Sequence, residues 1–330
     1  MRIAMVTSVE SDLPVVDLSG ALTGSGHHVV VHSTRAAEES GPQRQLESFV
    51  AALRESWAAE PPDVVHAHRW TSGLAAMVAA RPLDIPIVHT YQDTTRAPAE
   101  RVDVERAVCR SAARVVATSD DDLPALLRLG VRRASIAVVP YGVDWNRFTP
   151  DGPRVPRGSA HRILTAASHG VPRELVAAVH ALPDAELVVF DGPPPAAGPA
   201  AADGRVVRVQ AGPGDLPALV RSADIVVCGP WCDRPSILAM QAMACGVAVV
   251  STTSVGGMSD VVVHRVAGMV PAQGGPGGLV RVLSGLLADH ARREAYAIAG
   301  IDRVLARYGL DRVAEDIADV YASAVRREGS

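Results

Sequence analysis

From Arg2 to the C-terminal tail, short runs of β-branched residues alternate with longer stretches rich in alanine and leucine. Parallel strands need a crossover of a dozen or more residues, so this rhythm specifies βαβ units and a parallel sheet with helices on its faces. In the first half it predicts strands at Arg2–Thr7, His28–His32, Val64–His66, Ile87–Thr90, Arg114–Thr118 and Ile136–Val139. Helices are expected at Leu18–Ser25, Gln43–Glu60, Ser72–Ala80, Pro98–Ala112 and Asp121–Leu129, with Pro98 suited to a first helical position. The pattern stops at Thr149–Ala160, where proline, glycine and arginine without apolar periodicity read as a linker. It then restarts, with strands at Arg162–Ala166, Leu187–Phe190, Val206–Val209, Ile225–Cys228 and Ala248–Ser251, and ends in helices. The result is an α/β chain of two parallel-sheet domains, 1–150 and 151–309. A crevice between two such domains is the default ligand site, because strand ends and helix starts converge there.

Composition narrows the function. A length of 330 residues suits two ordinary domains, and a net charge of -4 gives no electrostatic footprint for nucleic acid or an anionic membrane. All 32 basic side chains are arginine, which removes lysine Schiff bases and leaves arginine to bind anions. The four cysteines are too sparse for a disulfide scaffold. Cys228 and Cys232 have no nearby histidine to complete a zinc set, so no metal is expected. The N-terminal residues read as a strand without a signal peptide, and the uncharged run Pro235–Ser259 is broken by Gln241, Gly246 and paired glycines. A cytoplasmic protein without a transmembrane segment is expected.

No dinucleotide fingerprint follows the first strand. The densest signal is instead Ala223–Asp260, ADIVVCGPWCDRPSILAMQAMACGVAVVSTTSVGGMSD. A strand ends at Cys228, a loop carries Asp233, and Ser236 is placed to cap a helix whose free amides suit a sugar hydroxyl or a phosphate. Further on, Gly256 and Gly257 allow close backbone approach to a second anionic group.

Together with PPDVVHAHRWTSGLAA (Pro61–Ala76), ERAVCRSAARVVATSDDDLPALLRLG (Glu105–Gly130), VVPYGVDWNRFTPDGP (Val138–Pro153) and RVLARYGLDRVAEDIADVY (Arg303–Tyr321), this segment resembles the family 4 retaining glycosyltransferases of GT-B fold. The resemblance covers nearly the whole chain and is nearest to the actinobacterial, mycothiol-pathway-like subgroup. It implies two Rossmann-like domains, with helix 310–330 packing back on the first. It also implies a nucleotide-sugar donor on the C-terminal domain, a small-molecule or lipid acceptor on the N-terminal domain, and transfer with retention. Neither a metal nor a cofactor is implied, since the nucleotide sugar is a substrate.

Matched position by position, the family's diphosphate arginine falls on Ser168 and its lysine on Arg173. The glutamate that meets sugar hydroxyls falls on Asp233, with Ile237 in the adjoining donor segment, and the glutamate that meets the ribose falls on Gln241, whose amide still accepts hydrogen bonds. The family histidine falls on Gln92, and the glycine-rich loop after the first strand is missing. Asp233 and Gln92 are thus the candidate catalytic positions. Arg234 and Arg147 are candidates for the lost cation, as is His169.

Each assignment has a plainer counterpart. His66 and His68 end a strand, where they either meet an acceptor, as Arg147 would, or make structural hydrogen bonds. Asp233 suits helix capping, Gln241 an exposed helix face, Gly256 and Gly257 a turn, and Arg173 a solvated helix start. The departures from the motifs keep two other functions open. One is a non-catalytic partner or activator of another glycosyltransferase, alongside a homodimer. The other is a nucleotide-sugar epimerase or hydrolase on the same fold.

Overall fold

Six strands of the first half pair in parallel: β1 (Arg2–Thr7), β2 (His28–Ser33), β3 (Val64–His68), β4 (Ile87–Thr90), β5 (Arg114–Ala117) and β6 (Ile136–Val138), in the spatial order β2-β1-β3-β4-β5-β6. Apart from half-buried Arg2, every residue of β1, β3 and β4 is buried, the pattern of strands covered on both faces. The cover comes from α1 (Leu13–Gly24), α2 (Pro42–Ala59), α3 (Trp70–Ala80), α4 (Ala99–Ser111) and α5 (Leu123–Arg128). The computed structural model describes all residues except 8–11, 34–41, 92–97, 168–169, 191–203, 213, 255–256, 272–275 and 327–330.

A second parallel sheet, in the order β11-β10-β7-β8-β9, contains β7 (His161–Ala166), β8 (Ala185–Phe190), β9 (Val206–Val209), β10 (Ile225–Cys228) and β11 (Ala248–Ser251). Its helices are α6 (Arg173–His180), α7 (Leu216–Arg221), α8 (Pro235–Ala244), α9 (Met258–Val261), α10 (Pro276–Ala288) and α11 (His290–Arg307). The chain ends in α12 (Leu310–Val325). Its buried Val313, Ala314, Ile317, Val320, Tyr321 and Ala324 form one helical stripe, which joins Ile3, Met5, Leu18 and Leu22 in a core cluster of the first half.

The chain divides into one unit of Met1–Gly142 with Leu310–Ser330 and a second of Val143–Gly309. The change of unit at Gly142 precedes the segment read as a linker, and the physical reason is visible in two arginines. Buried Arg221 donates from Nε to the Pro153 carbonyl at 2.9 Å and from Nη1 to that of Thr149 at 3.2 Å. Arg162, 4% exposed, ion-pairs with Glu186 at 2.6 Å and donates to the carbonyls of Val155 and Pro156. A segment without apolar periodicity is thereby fastened to the second unit by carbonyl hydrogen bonds, which periodicity does not report.

Helix starts also differ from expectation. α1 begins at Leu13 with Pro14 in its first turn, ahead of the apolar stripe that marked Leu18. Pro98 is the N-cap of α4 and its helix begins at Ala99. Asp120–Asp122 form a short 3-10 turn closed by a Ser119/Asp122 capping box, in keeping with an acidic helix start.

Candidate active site

In the first unit, His66 of β3 and Thr90 of β4 share a buried hydrogen-bond network with α12. His66 is fully buried, with Nδ1 2.7 Å from the Tyr321 hydroxyl on α12 and Nε2 2.8 Å from that of Thr90. A neutral imidazole donates at one nitrogen and accepts at the other, so both contacts are satisfied. Burial, then the neighbouring His68 and His89, hold the His66 pKa well below its ordinary value. Of the two readings offered for His66, the hydrogen-bonded scaffold is the one its nitrogens fulfil, because both are occupied by protein hydroxyls. His68 is 8% exposed and its ring lies 4.0 Å from that of His66. Beside them opens a small cleft lined by His68, Thr90, Thr118 and Tyr141, with Leu18 and Ile317 on its apolar side.

A second buried group sits behind the first. His89 Nε2 is 2.9 Å from Glu105 Oε1, both side chains being fully buried, and the Cys109 thiol lies 3.9 Å from the same oxygen. The His89 ring fits only because residue 73 is a glycine, where a Cβ would stand 2.9 Å from His89 Cε1 and 2.8 Å from Val108 Cγ1. Among the described residues these three bring their possible ligand atoms within 4.8 Å of one another, the spacing a metal would need. The direct His89–Glu105 contact already takes up the facing lone pair and proton. Burial pushes the Cys109 thiol far up, with Glu105 adding to it. Cys228 and Cys232 are also raised by burial, and Cys245 is pushed up to about 12. Buried thiols that hold their protons do not serve as nucleophiles.

The second unit presents its polar groups differently. β10 ends at Cys228, and α8 starts at Pro235 with Arg234 as N-cap, whose own side chain makes no capping hydrogen bond. Ser236 was expected to cap this helix; instead it lies inside the first turn, buried, because Pro235 fixes the helical φ one residue earlier. Asp233 lies one residue before the N-cap. Its side chain is 51% exposed, with Oδ2 4.0 Å from Arg234 Nε. The early amides of α8 have no intrahelical acceptor and carry the positive end of the helix dipole. Gln241, two turns along, is 6% exposed, so the exposed-face reading fails. Ile237 is half-buried between them, and Arg173 is exposed at the first position of α6. Gly257 caps α9 with a φ of +76°, a conformation that favours glycine. Arg147 belongs to this unit, its guanidinium 4.9 Å from the centre of the Phe148 ring, whereas His66 and His68 belong to the other. Gln92, Ser168, His169 and Gly256 lie outside the described residues.

Sequence reasoning did not find Tyr321 or Glu105 as partners of the strand histidines. The Tyr321–His66 pair is 255 residues apart, and although both lie in segments that carry the family resemblance, neither segment names the other as its partner. Glu105 carried a signal, as an acidic residue within an otherwise buried helix face.

Comparison with known proteins fits this arrangement. Residues 24–142 match the Glycosyl transferase 4-like domain and residues 156–289 match Glycosyl transferases group 1. The D-inositol 3-phosphate glycosyltransferase of Xylanimonas cellulosilytica is 30% identical, over 95% of this chain and 85% of its own. The chain belongs to the group 1 glycosyltransferases. The fold of this glycosyltransferase is that of sucrose-phosphate synthase from Thermosynechococcus elongatus, with a TM-score of 0.81 at 19% identity over the whole of both chains. It is also that of Anabaena HepE, solved with UDP and glucose, at a TM-score of 0.77 and 17% identity over 98% of this chain and 100% of the other. The two Rossmann-like parallel sheets are therefore those of GT-B glycosyltransferases. No helix among the described residues is long and apolar enough to cross a membrane.

Proposed function

We propose that this glycosyltransferase moves a sugar, with retention and without a metal or cofactor, from a nucleotide-sugar donor held by the second unit to a small-molecule or lipid acceptor held by the first. The observation that carries the reading is the β10–α8 junction. An exposed carboxylate there precedes a helix start whose N-cap side chain makes no capping hydrogen bond, and 95% of the chain aligns with a relative named for sugar transfer. In the reaction the leaving diphosphate gathers negative charge, and fixed cations and helix amides stabilise it. Arg173 supplies the cation and the first turn of α8, at Ser236 and Ile237, supplies the amides. Asp233 accepts hydrogen bonds from donor hydroxyls, and buried Gln241 offers an uncharged acceptor to the ribose. Arg234 screens the charge of Asp233. Gln92, Ser168, Gly256 and Gly257 complete the donor side in this reading, with Arg147 beside the linker.

The acceptor belongs at the cleft beside His68, Thr90 and Tyr141. His66 forms its fixed floor. The protein works in the cytoplasm, where nucleotide sugars are made. The test is transfer from UDP-, GDP- and dTDP-sugars to small acceptors in the presence of EDTA, with the anomeric configuration of the product read by NMR. A product of unchanged configuration, formed with the chelator present, is expected. Inversion, or dependence on a divalent ion, would overturn the mechanism. Donor binding without transfer to any acceptor or partner would leave the chain as a non-catalytic companion of another transferase.

A further inference from the structure

One aromatic side chain in the second unit has no part in that account. Trp231 lies on the loop between β10 and α8, where it meets the ends of β7, β10 and β11. Its indole Nε1–H donates to the Thr165 hydroxyl at 2.9 Å, and that hydroxyl donates to the Val227 carbonyl at 2.7 Å. The far edge of the ring rests on Gly229, where a Cβ would stand 2.3 Å from indole Cη2 and Cζ3 and 2.6 Å from Thr252 Oγ1. The ring also packs against the core cluster that contains Ile163 and Val227. Next to it, the Cys232 thiol donates to the Ala166 carbonyl at 3.2 Å and ties the loop to the end of β7.

Trp231 is therefore held at both ends, on a rigid sheet, while remaining only half-buried. Ligands of open α/β sheets sit outside the carboxyl ends of the strands, and a fixed indole at that place is a surface such a ligand rests on. The indole is flat, apolar and uncharged, and suits the C–H face of a sugar ring. Two residues on, exposed Asp233 offers carboxylate oxygens to hydroxyls and would repel a diphosphate. We infer that Trp231 is a specificity-determining contact for the sugar ring of the donor, distinct from the groups that hold its diphosphate. The inference rests on the reading that the second unit binds a nucleotide sugar.

Calorimetric titration of the full chain with UDP and UDP-glucose, GDP and GDP-mannose, and dTDP and dTDP-glucose separates the two. Trp231→Ala is expected to weaken binding of the glycosylated nucleotide by about three- to ten-fold, leaving the bare nucleotide within about two-fold of wild type. Trp231→Phe keeps a flat ring and is expected to retain most of the affinity. Thr165→Val, which frees the indole from its anchor, should give a smaller loss of the same selective kind. Equal weakening of the bare and glycosylated nucleotide, or no weakening of either, overturns the assignment. Binding of none of the six by the wild-type chain overturns the donor reading itself, and this one with it.

Discussion

The strand histidines of the first unit and the β10–α8 junction of the second use polar side chains in opposite ways. In the first, His66, His89 and Glu105 are fully buried and bonded to one another or to Thr90 and Tyr321. In the second, Asp233 is half exposed just before the start of α8, whose N-cap Arg234 makes no side-chain capping hydrogen bond. The strand histidines of the first unit are buried against protein partners, whereas the loop carboxylate of the second is half exposed to solvent. Residue type alone points the other way, since histidines at strand ends look more catalytic than an aspartate in a loop. Burial and partnering decide the matter.

The contrast is sharpest in Glu105→Ala. It leaves His89 buried without its partner and is expected to cost about 3–5 kcal/mol of stability, measured by urea unfolding. Asp233→Ala should do the reverse. Transfer is expected to fall by at least about 100-fold, roughly 2.7 kcal/mol of transition-state stabilisation, while stability changes by no more than about 0.5 kcal/mol. A large loss of stability in Asp233→Ala with transfer intact would break the comparison. Tyr321→Phe removes one hydroxyl from His66 and should cost about 1–3 kcal/mol, with α12 losing its amide protection first.

The smallest effect is a pH slope. Burial and its histidine neighbours keep His66 neutral in the folded chain, so the unfolded chain takes up the proton first. Above pH of about 6.5 His66 adds no slope. Below it, stability falls by up to about 1.4 kcal/mol per pH unit until the folded imidazole itself titrates. His32 is lowered in the same direction by burial, so the comparison is wild type against His66→Gln, whose unfolding free energy should fall less steeply between pH 6.5 and 5. Parallel slopes would place the buried charge elsewhere.

The sheets were legible because their central strands contain continuous apolar runs, Leu187 to Phe190 or Ile225 to Cys228, which only a strand covered on both faces requires. The second site was legible as a segment, since a loop aspartate before a helix start leaves a local pattern. Its details were less so. Pro235 moved the cap from Ser236 to Arg234, a two-residue shift that propensity does not resolve. The His66–Tyr321 and His89–Glu105 pairs were not legible, because each joins elements that meet only in the folded chain. Trp231 was not legible, because the role of Gly229, two residues before it, appears only when the ring lies on it.

Hydrogen exchange of the full chain, with and without a nucleotide sugar, tests the central claim most directly. Binding at the second unit predicts slowed exchange at Ser236 and Ile237 in the first turn of α8, with the strands carrying His66 and His89 unchanged. Protection confined to the first unit, or absent from the start of α8 at saturating donor, would contradict it.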